Sequence, residues 1–138
     1  MSTNKREAFL TGDRPGDIAV YIADQLVDDP DALSDHGHVT DQGTVLVLDG
    51  ETGRKIFKSA TGMDALGFAK SAMDTEGEIA NDLTGGVCPE CGKNTIQLLL
   101  AFAEEQNEAV GGIYAEGDVI HAYAQCDCGA RYSDKWTL

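Results

Sequence analysis

The sequence predicts an α+β protein: a small α/β N-terminal module over residues 1–84, a hinge at 85–87, and a cysteine-bearing β segment over residues 88–138. Three observations carry this. Over the first 87 residues, short apolar runs alternate with stretches that have helical spacing and capping residues. Gly85 and Gly86 then interrupt the pattern at the best hinge position in the chain. All four cysteines lie beyond that point, among residues that alternate apolar and polar as strands do. A chain of 138 residues suits one domain or two very small ones, and its 30 Ile, Leu, Val and Phe residues allow only a modest core.

Ala8 to Leu10 is a short strand candidate, punctuated afterwards by Gly12, Pro15 and Gly16. Asp13 or Asp17 can cap a helix running to about Asp28, because Ile18, Ile22 and Leu26 recur every four residues beside Ala19, Ala23 and Val27. From Asp28 to Gln42 there are five Asp, one Pro and one Gly with little periodicity, which reads as a loop. Thr44 to Leu48 is an apolar, β-branched run, apolar on both faces and therefore internal to a sheet. Glu51 to Ala60 and Asp64 to Met73 read as two short helices divided by Thr61-Gly62, with Ile56, Phe57, Leu66, Phe68, Ala69 and Met73 pointing inward. Glu76 to Leu83 adds a last helical turn before the hinge.

In the second segment Ile96, Leu98, Leu100 and Phe102 alternate and favour a strand, although Asn94 can instead cap a helix through Leu98 to Ala109. Residues 95–109 therefore have two readings, of which the strand is preferred. Gly112 to Glu116 and Val119 to Gln125 form a hairpin around Gly117-Asp118, and Arg131 to Trp136 supplies a final strand.

The strongest chemical signal is Cys88-Pro89-Glu90-Cys91-Gly92 and then Cys126-Asp127-Cys128-Gly129, with 34 residues between Cys91 and Cys126. Each pair sets two thiolates on a tight turn, and a tetrahedral Zn²⁺ needs two such pairs facing one another. A glycine after the second cysteine of each pair allows a positive φ, which turns backbone amides toward the thiolate sulfurs. Four thiols in a reducing cytoplasm point to a metal and away from disulfides. One Zn²⁺ on Cys88, Cys91, Cys126 and Cys128 is the expected cofactor, and iron is compatible with the same ligands. With all four positions filled by protein, such a metal is structural. A redox dithiol is the other reading of Cys-x-x-Cys, but that motif belongs at the start of a helix after a strand, whereas here Gly85-Gly86-Val87 precede it.

On these residues the segment 88–138 resembles the zinc-ribbon family: Cys-Pro-x-Cys-Gly, a β segment, then Tyr123-Ala124-Gln125-Cys126 entering a second Cys-Gly knuckle and a short aromatic-tipped strand. The second knuckle, Cys-x-Cys, is one residue shorter than that family's usual Cys-x-x-Cys. The chain as a whole resembles a family of short haloarchaeal proteins of unknown function. The ribbon resemblance implies a binding role and, because many ribbons belong to transcription and translation machinery, keeps a nucleic-acid-associated factor as the alternative.

The other signals are weaker. His36 and His38 flank Gly37 behind Asp35, but no third or fourth ligand stands beside them, and a solvated acidic loop is the preferred reading. His121 precedes Cys126 by five residues, so on a regular strand it faces away from that cysteine. Lys93, Arg131 and Lys135 are the three bases of the second segment, and each follows a knuckle closely. They compensate the charge of a four-thiolate metal site or, with Tyr132 and Trp136 on the other strand face, contact a phosphate and stack on a base. Replacing Arg131 and Lys135 by Gln is expected to leave folding unchanged. The chain has no phosphate-binding Gly-rich loop and no Gly-x-Ser-x-Gly elbow.

Charge sets the environment. The 24 acids against 10 bases give a formal net charge of −14, spread along the whole chain. At about 1 M salt the Debye length is roughly 3 Å, so neighbouring carboxylates cease to repel one another. With 15 Asp, 16 Gly and only 6 Lys, the composition resembles that of salt-loving archaea. No run approaches a membrane span and the polar start from Met1 to Glu7 has no apolar signal core, so a cytoplasmic, halophilic protein without membrane contact is expected. The resulting expectation is a non-enzymatic adaptor with a protein partner; a nucleic-acid-associated factor comes second, and an enzyme using the Cys-x-x-Cys pair third.

Overall fold

The computed structural model describes residues 8–9, 17–24, 38–39, 43–80, 83, 85–93, 96–104 and 109–137. The described chain is mixed α+β. Its strands are β1 (Asp17–Ala23), β2 (His38–Val39), β3 (Gly43–Asp49), β4 (Glu78–Ile79), β5 (Gly86–Val87), β6 (Ile96–Glu104), β7 (Val119–Cys126) and β8 (Arg131–Thr137). Its helices are α1 (Gly50–Thr61), α2 (Ala65–Ala72) and the single turn α3 (Ile113–Glu116). Six strands form one sheet in the order β2-β3-β1-β6-β7-β8, with every named pair antiparallel, and β4 pairs with β5 in a small separate hairpin.

The expected helix from Asp13 or Asp17 to Asp28 is replaced, over its described part, by the strand β1. A spacing of four residues satisfies both the helical period and twice the strand period, so Ile18 and Ile22 alone do not discriminate. Tertiary context decides. The run Ile18 to Ala23 is apolar at every position and buried at every position, because β1 lies between β3 and β6 and both of its faces are covered.

One face of the sheet carries α1 and α2. Ile18, Val20, Ile22, Leu98, Leu100 and Tyr123 pack there against Phe57, Ala65, Phe68, Ala69 and Ala72. The Phe57 and Phe68 rings meet at 5.2 Å between centroids, tilted by 49°. Each such ring contributes about 1.5–3 kcal/mol on burial. Asp49 caps α1 by accepting from the Thr52 N–H at 3.0 Å, and Asp64 caps α2 through the Gly67 N–H at 3.3 Å. Both helices thus fall where their spacing and caps predict. Leu66 and Met73, expected inward, are exposed, since α2 turns the stripe Ala65, Phe68, Ala69 and Ala72 to the sheet.

The opposite face buries Ala19, Tyr21, Val45, Val47, Leu99, Ala101, Ile120, Ala122, Ala124 and Tyr132, with Cys88 and Cys126 in the same cluster. Phe9 joins this core, fully buried, but Ala8 and Phe9 are helical and not the expected strand.

In the N-terminal module β1, β2 and β3 pair antiparallel, so its described part is α+β and not the alternating α/β unit expected. The loop expected from Asp28 to Gln42 lies largely outside the described residues, and within it His38–Val39 form β2 on the edge of β3. The helical turn expected over Glu76 to Leu83 is instead strand β4 and the start of a reversal, in which the Ala80 N–H donates to Gly85 O at 2.8 Å and the Leu83 N–H to Ala80 O at 2.9 Å. Around the expected hinge, Gly86–Val87 are thus paired strand, and β1 pairs with β6 across that position, so a single sheet runs through both halves. Residues 96–104 are strand, the preferred reading. Gly112 to Glu116 form the turn α3 instead of a hairpin arm; β7 pairs with β6 and β8.

Candidate metal centre

Strand ends deliver the cysteines. Cys88 leaves β5, and Cys91 stands on the turn before β6. Cys126 ends β7, and Cys128 lies in the short connection to β8. Because β6 and β7 pair directly, with Ile96 opposite Cys126, the two turns lie side by side at one end of the sheet. A separation of 34 residues in sequence becomes contact in space. The four Sγ atoms all lie within 4.8 Å of one another, with Cys88–Cys128 at 3.6 Å and Cys91–Cys126 at 3.5 Å. A tetrahedron with arms of ~2.3 Å has edges of about 3.8 Å, so the sulfurs stand close to the spacing a metal ion requires.

Both knuckles close by backbone hydrogen bonds. In the first, the Cys88 N–H donates to Lys93 O at 3.0 Å and the Gly92 N–H to Cys88 O at 2.9 Å. In the second, the Cys126 N–H donates to Ala130 O at 2.9 Å and the Gly129 N–H to Cys126 O at 2.9 Å. The shorter Cys-x-Cys is accommodated by a loop one residue tighter that keeps the same closure. Gly92 and Gly129 have φ of 72° and 93°, the left-handed region that the sequence reserves for them. Beyond these turns the Lys93 amide addresses Cys91 and the Ala130 amide addresses Cys128. The Glu90 N–H lies 3.4 Å from Cys88 Sγ.

These amides and the crowding of sulfurs act in opposite directions. Burial raises the Cys88 thiol, but the amides of Cys91 and Glu90 and the contact with Cys128 outweigh it and bring it down to about 7. At Cys91 the Lys93 amide lowers the thiol, yet burial and Cys126 leave it raised. At Cys128 the Ala130 amide is again outweighed, here by burial and the sulfurs of Cys88, Cys126 and Cys91, which push it up to about 12. Cys88 ionises readily while Cys91 and Cys128 resist joining it, as expected of crowded thiols whose charges a cation would offset.

Cys88 and Cys126 are buried, whereas Cys91 and Cys128 are exposed on a groove of about 620 Å³ that also touches Ser71, Glu90 and Arg131. Residues 37–138 match the model of a family described as a family of unknown function, DUF5807. The chain belongs to the DUF5807 family. The match is not to a zinc-ribbon family. No curated protein and no solved structure matches the chain.

In this DUF5807 protein the basic and aromatic residues singled out by sequence have different fates. Arg131 and Tyr132 lie on opposite faces of β8, Arg131 half-buried at the groove and Tyr132 in the core. Arg131 Nε donates to Gln125 Oε1 at 2.9 Å and Nη1 to Ser71 Oγ at 2.8 Å, while Nη2 lies 3.2 Å from Met63 Sδ and the guanidinium stands over the Phe68 ring. Tyr132 is fully buried, so it presents no ring for base stacking. Trp136 is partly buried and packs against the same core cluster, and Lys93 and Lys135 are exposed. His121 faces away from Cys126, as its spacing predicts, stacking on Phe102 with its Nε2 2.9 Å from Glu104 Oε1. His36 lies outside the described residues, and of the pair only the backbone of His38 is placed, in β2. Ser71 and Gln125, which hold Arg131 beside the groove, are neighbours of the site that sequence spacing did not reveal, whereas the sulfur-facing amides follow from the glycines of the two knuckles. Among the described residues no helix is long and apolar enough to cross a membrane.

Proposed function

We propose that this DUF5807 protein is a non-enzymatic zinc protein that serves as an adaptor, with one Zn²⁺ held by Cys88, Cys91, Cys126 and Cys128 in two ribbon-like knuckles. The observation that carries the reading is the sulfur arrangement: four Sγ atoms mutually within 4.8 Å, delivered by two turns of the same closure. Four protein sulfurs complete a tetrahedron and leave no position for water or substrate, which supports a structural metal. Iron takes the same donors; zinc is the usual occupant of a closed four-cysteine site. The halophilic cytoplasm proposed for the protein rests on its charge.

The engagement of Arg131 and the burial of Tyr132 weigh against a nucleic-acid role. Elemental analysis of protein purified reduced and without chelator tests the metal: one zinc per chain is expected, and less than half an equivalent, or a red iron chromophore, overturns it. Fluorescence of Trp136 titrated with single-stranded RNA at molar salt tests the role. No quenching is expected, and saturable quenching abolished by changing Lys93 and Lys135 to Gln overturns the adaptor reading.

A further inference from the structure

The cysteine site is asymmetric in a way its symmetrical motif conceals. Each knuckle contributes one buried cysteine, Cys88 or Cys126, and one exposed cysteine, Cys91 or Cys128. Both exposed cysteines line the same open groove, which is wide enough for a small solute to reach them. The buried ones belong to the apolar cluster around Tyr132. The contacts cross between the knuckles: exposed Cys128 lies 3.6 Å from buried Cys88, and exposed Cys91 lies 3.5 Å from buried Cys126. Each exposed cysteine therefore has a buried partner at close range on the opposite turn.

We infer that Cys91 and Cys128 are oxidative modification sites for hydrogen peroxide and that each is closed by its buried neighbour into a cross-knuckle disulfide, Cys91–Cys126 or Cys88–Cys128. This rests on the four-sulfur zinc reading. In the first step the exposed thiolate sulfur attacks one peroxide oxygen; the O–O bond breaks, the leaving hydroxide takes a proton to become water, and a sulfenic acid remains. In the second the buried thiolate attacks that sulfur; the S–O bond breaks, and the departing hydroxide takes a second proton to become a second water. Two electrons pass from two thiolates to one hydrogen peroxide; a Zn²⁺ held by the four sulfurs would lose two ligands and leave with its charge unchanged. The partner selected is not the other cysteine of the same Cys-x-x-Cys, which separates this chemistry from that of a redox dithiol.

The test uses the full-length protein at molar potassium chloride with hydrogen peroxide as the probe. Zinc content is measured first, release is followed with a chromogenic chelator, and the cysteines are mapped by mass spectrometry after dimedone trapping and alkylation. The expected result is dimedone on Cys91 and Cys128 at least roughly tenfold above Cys88 and Cys126, with Cys91–Cys126 or Cys88–Cys128 as the first disulfide and one zinc released per first disulfide. A first disulfide within a knuckle, Cys88–Cys91 or Cys126–Cys128, overturns the inference, as do cysteines that stay reduced in excess peroxide. Full zinc with a within-knuckle disulfide leaves the zinc reading standing and removes only the pairing. Absent zinc removes both.

Discussion

The guanidinium of Arg131 stands 5.3 Å from the centroid of the Phe68 ring, and its Nη1 reaches Ser71 one helical turn further along α2. The residue that begins β8, three positions after Cys128, is thereby fixed to the helix layer. Its hydrogen bonds serve the fold.

Against the expectation from sequence that this change leaves folding unaltered, replacing Arg131 by Gln is therefore expected to destabilise the protein by about 1–3 kcal/mol, through the lost hydrogen bonds and the lost cation–π contact. Replacing exposed Lys135 by Gln is expected to change stability by less than about 0.5 kcal/mol. Urea denaturation of the two variants at molar salt checks both. Equal stability would mean that Arg131 is held no more firmly than a surface lysine.

Tyr132 gives the opposite expectation. Its hydroxyl is buried and, among the described residues, has no hydrogen-bond partner. The phenol is also held well above its usual range by burial and by the charges of Cys88, Cys126, Cys91 and Cys128, so it stays neutral. Tyr132→Phe removes a desolvated donor and keeps the ring, and is expected to be neutral or up to about 1 kcal/mol stabilising. A loss above about 1 kcal/mol in thermal unfolding would show that the hydroxyl makes a bond worth keeping.

Metal binding should release protons. With the Cys128 thiol near 12 and the Cys91 thiol raised from 9.0, these two groups are protonated at pH 7 in the metal-free protein and must both be thiolates in the bound one. The bound state holds fewer protons, so affinity is present at high pH and is lost as pH falls. Adding zinc to metal-free protein in weak buffer at pH 7 is expected to release at least two protons per zinc. Release of fewer than one, measured in a pH-stat, would contradict the crowding of thiols described here.

Stability should fall as salt is diluted. The 24 acids and net charge of −14 repel one another once the Debye length lengthens from roughly 3 Å at 1 M to roughly 10 Å at 0.1 M. The melting temperature is expected to drop between molar and 0.1 M potassium chloride. A flat or rising value removes the physical argument for a salt-loaded cytoplasm.

The cysteine site was the most legible part of the sequence, because close pairs on tight turns and their following glycines encode a local geometry that needs no knowledge of the rest of the chain. The helices α1 and α2 were legible for the same reason: Asp49 and Asp64 act on amides three residues away. What could not be read is what depends on distant partners. Ile18 and Ile22 fit two periods equally, and only the flanking strands β3 and β6 select one. Arg131 looked like a surface charge because Met63, Phe68 and Ser71, which hold it, lie 60 or more residues away. Tyr132 looked stackable because its alternation with Arg131 shows which face it takes but not that this face is the core.

The pairing of β1 with both β3 and β6 sets a limit on how the chain can be divided. The family match begins at residue 37, whereas β1 spans Asp17–Ala23 and sits in the interior of the six-stranded sheet. A fragment cut to residues 37–138 would lose its keystone: the β1-facing backbone groups of β3 and β6 would be left as two raw edges, flanked by the apolar side chains that β1 now covers. Such edges recruit strands from other molecules, so the shortened chain would be expected to aggregate even with every cysteine in place.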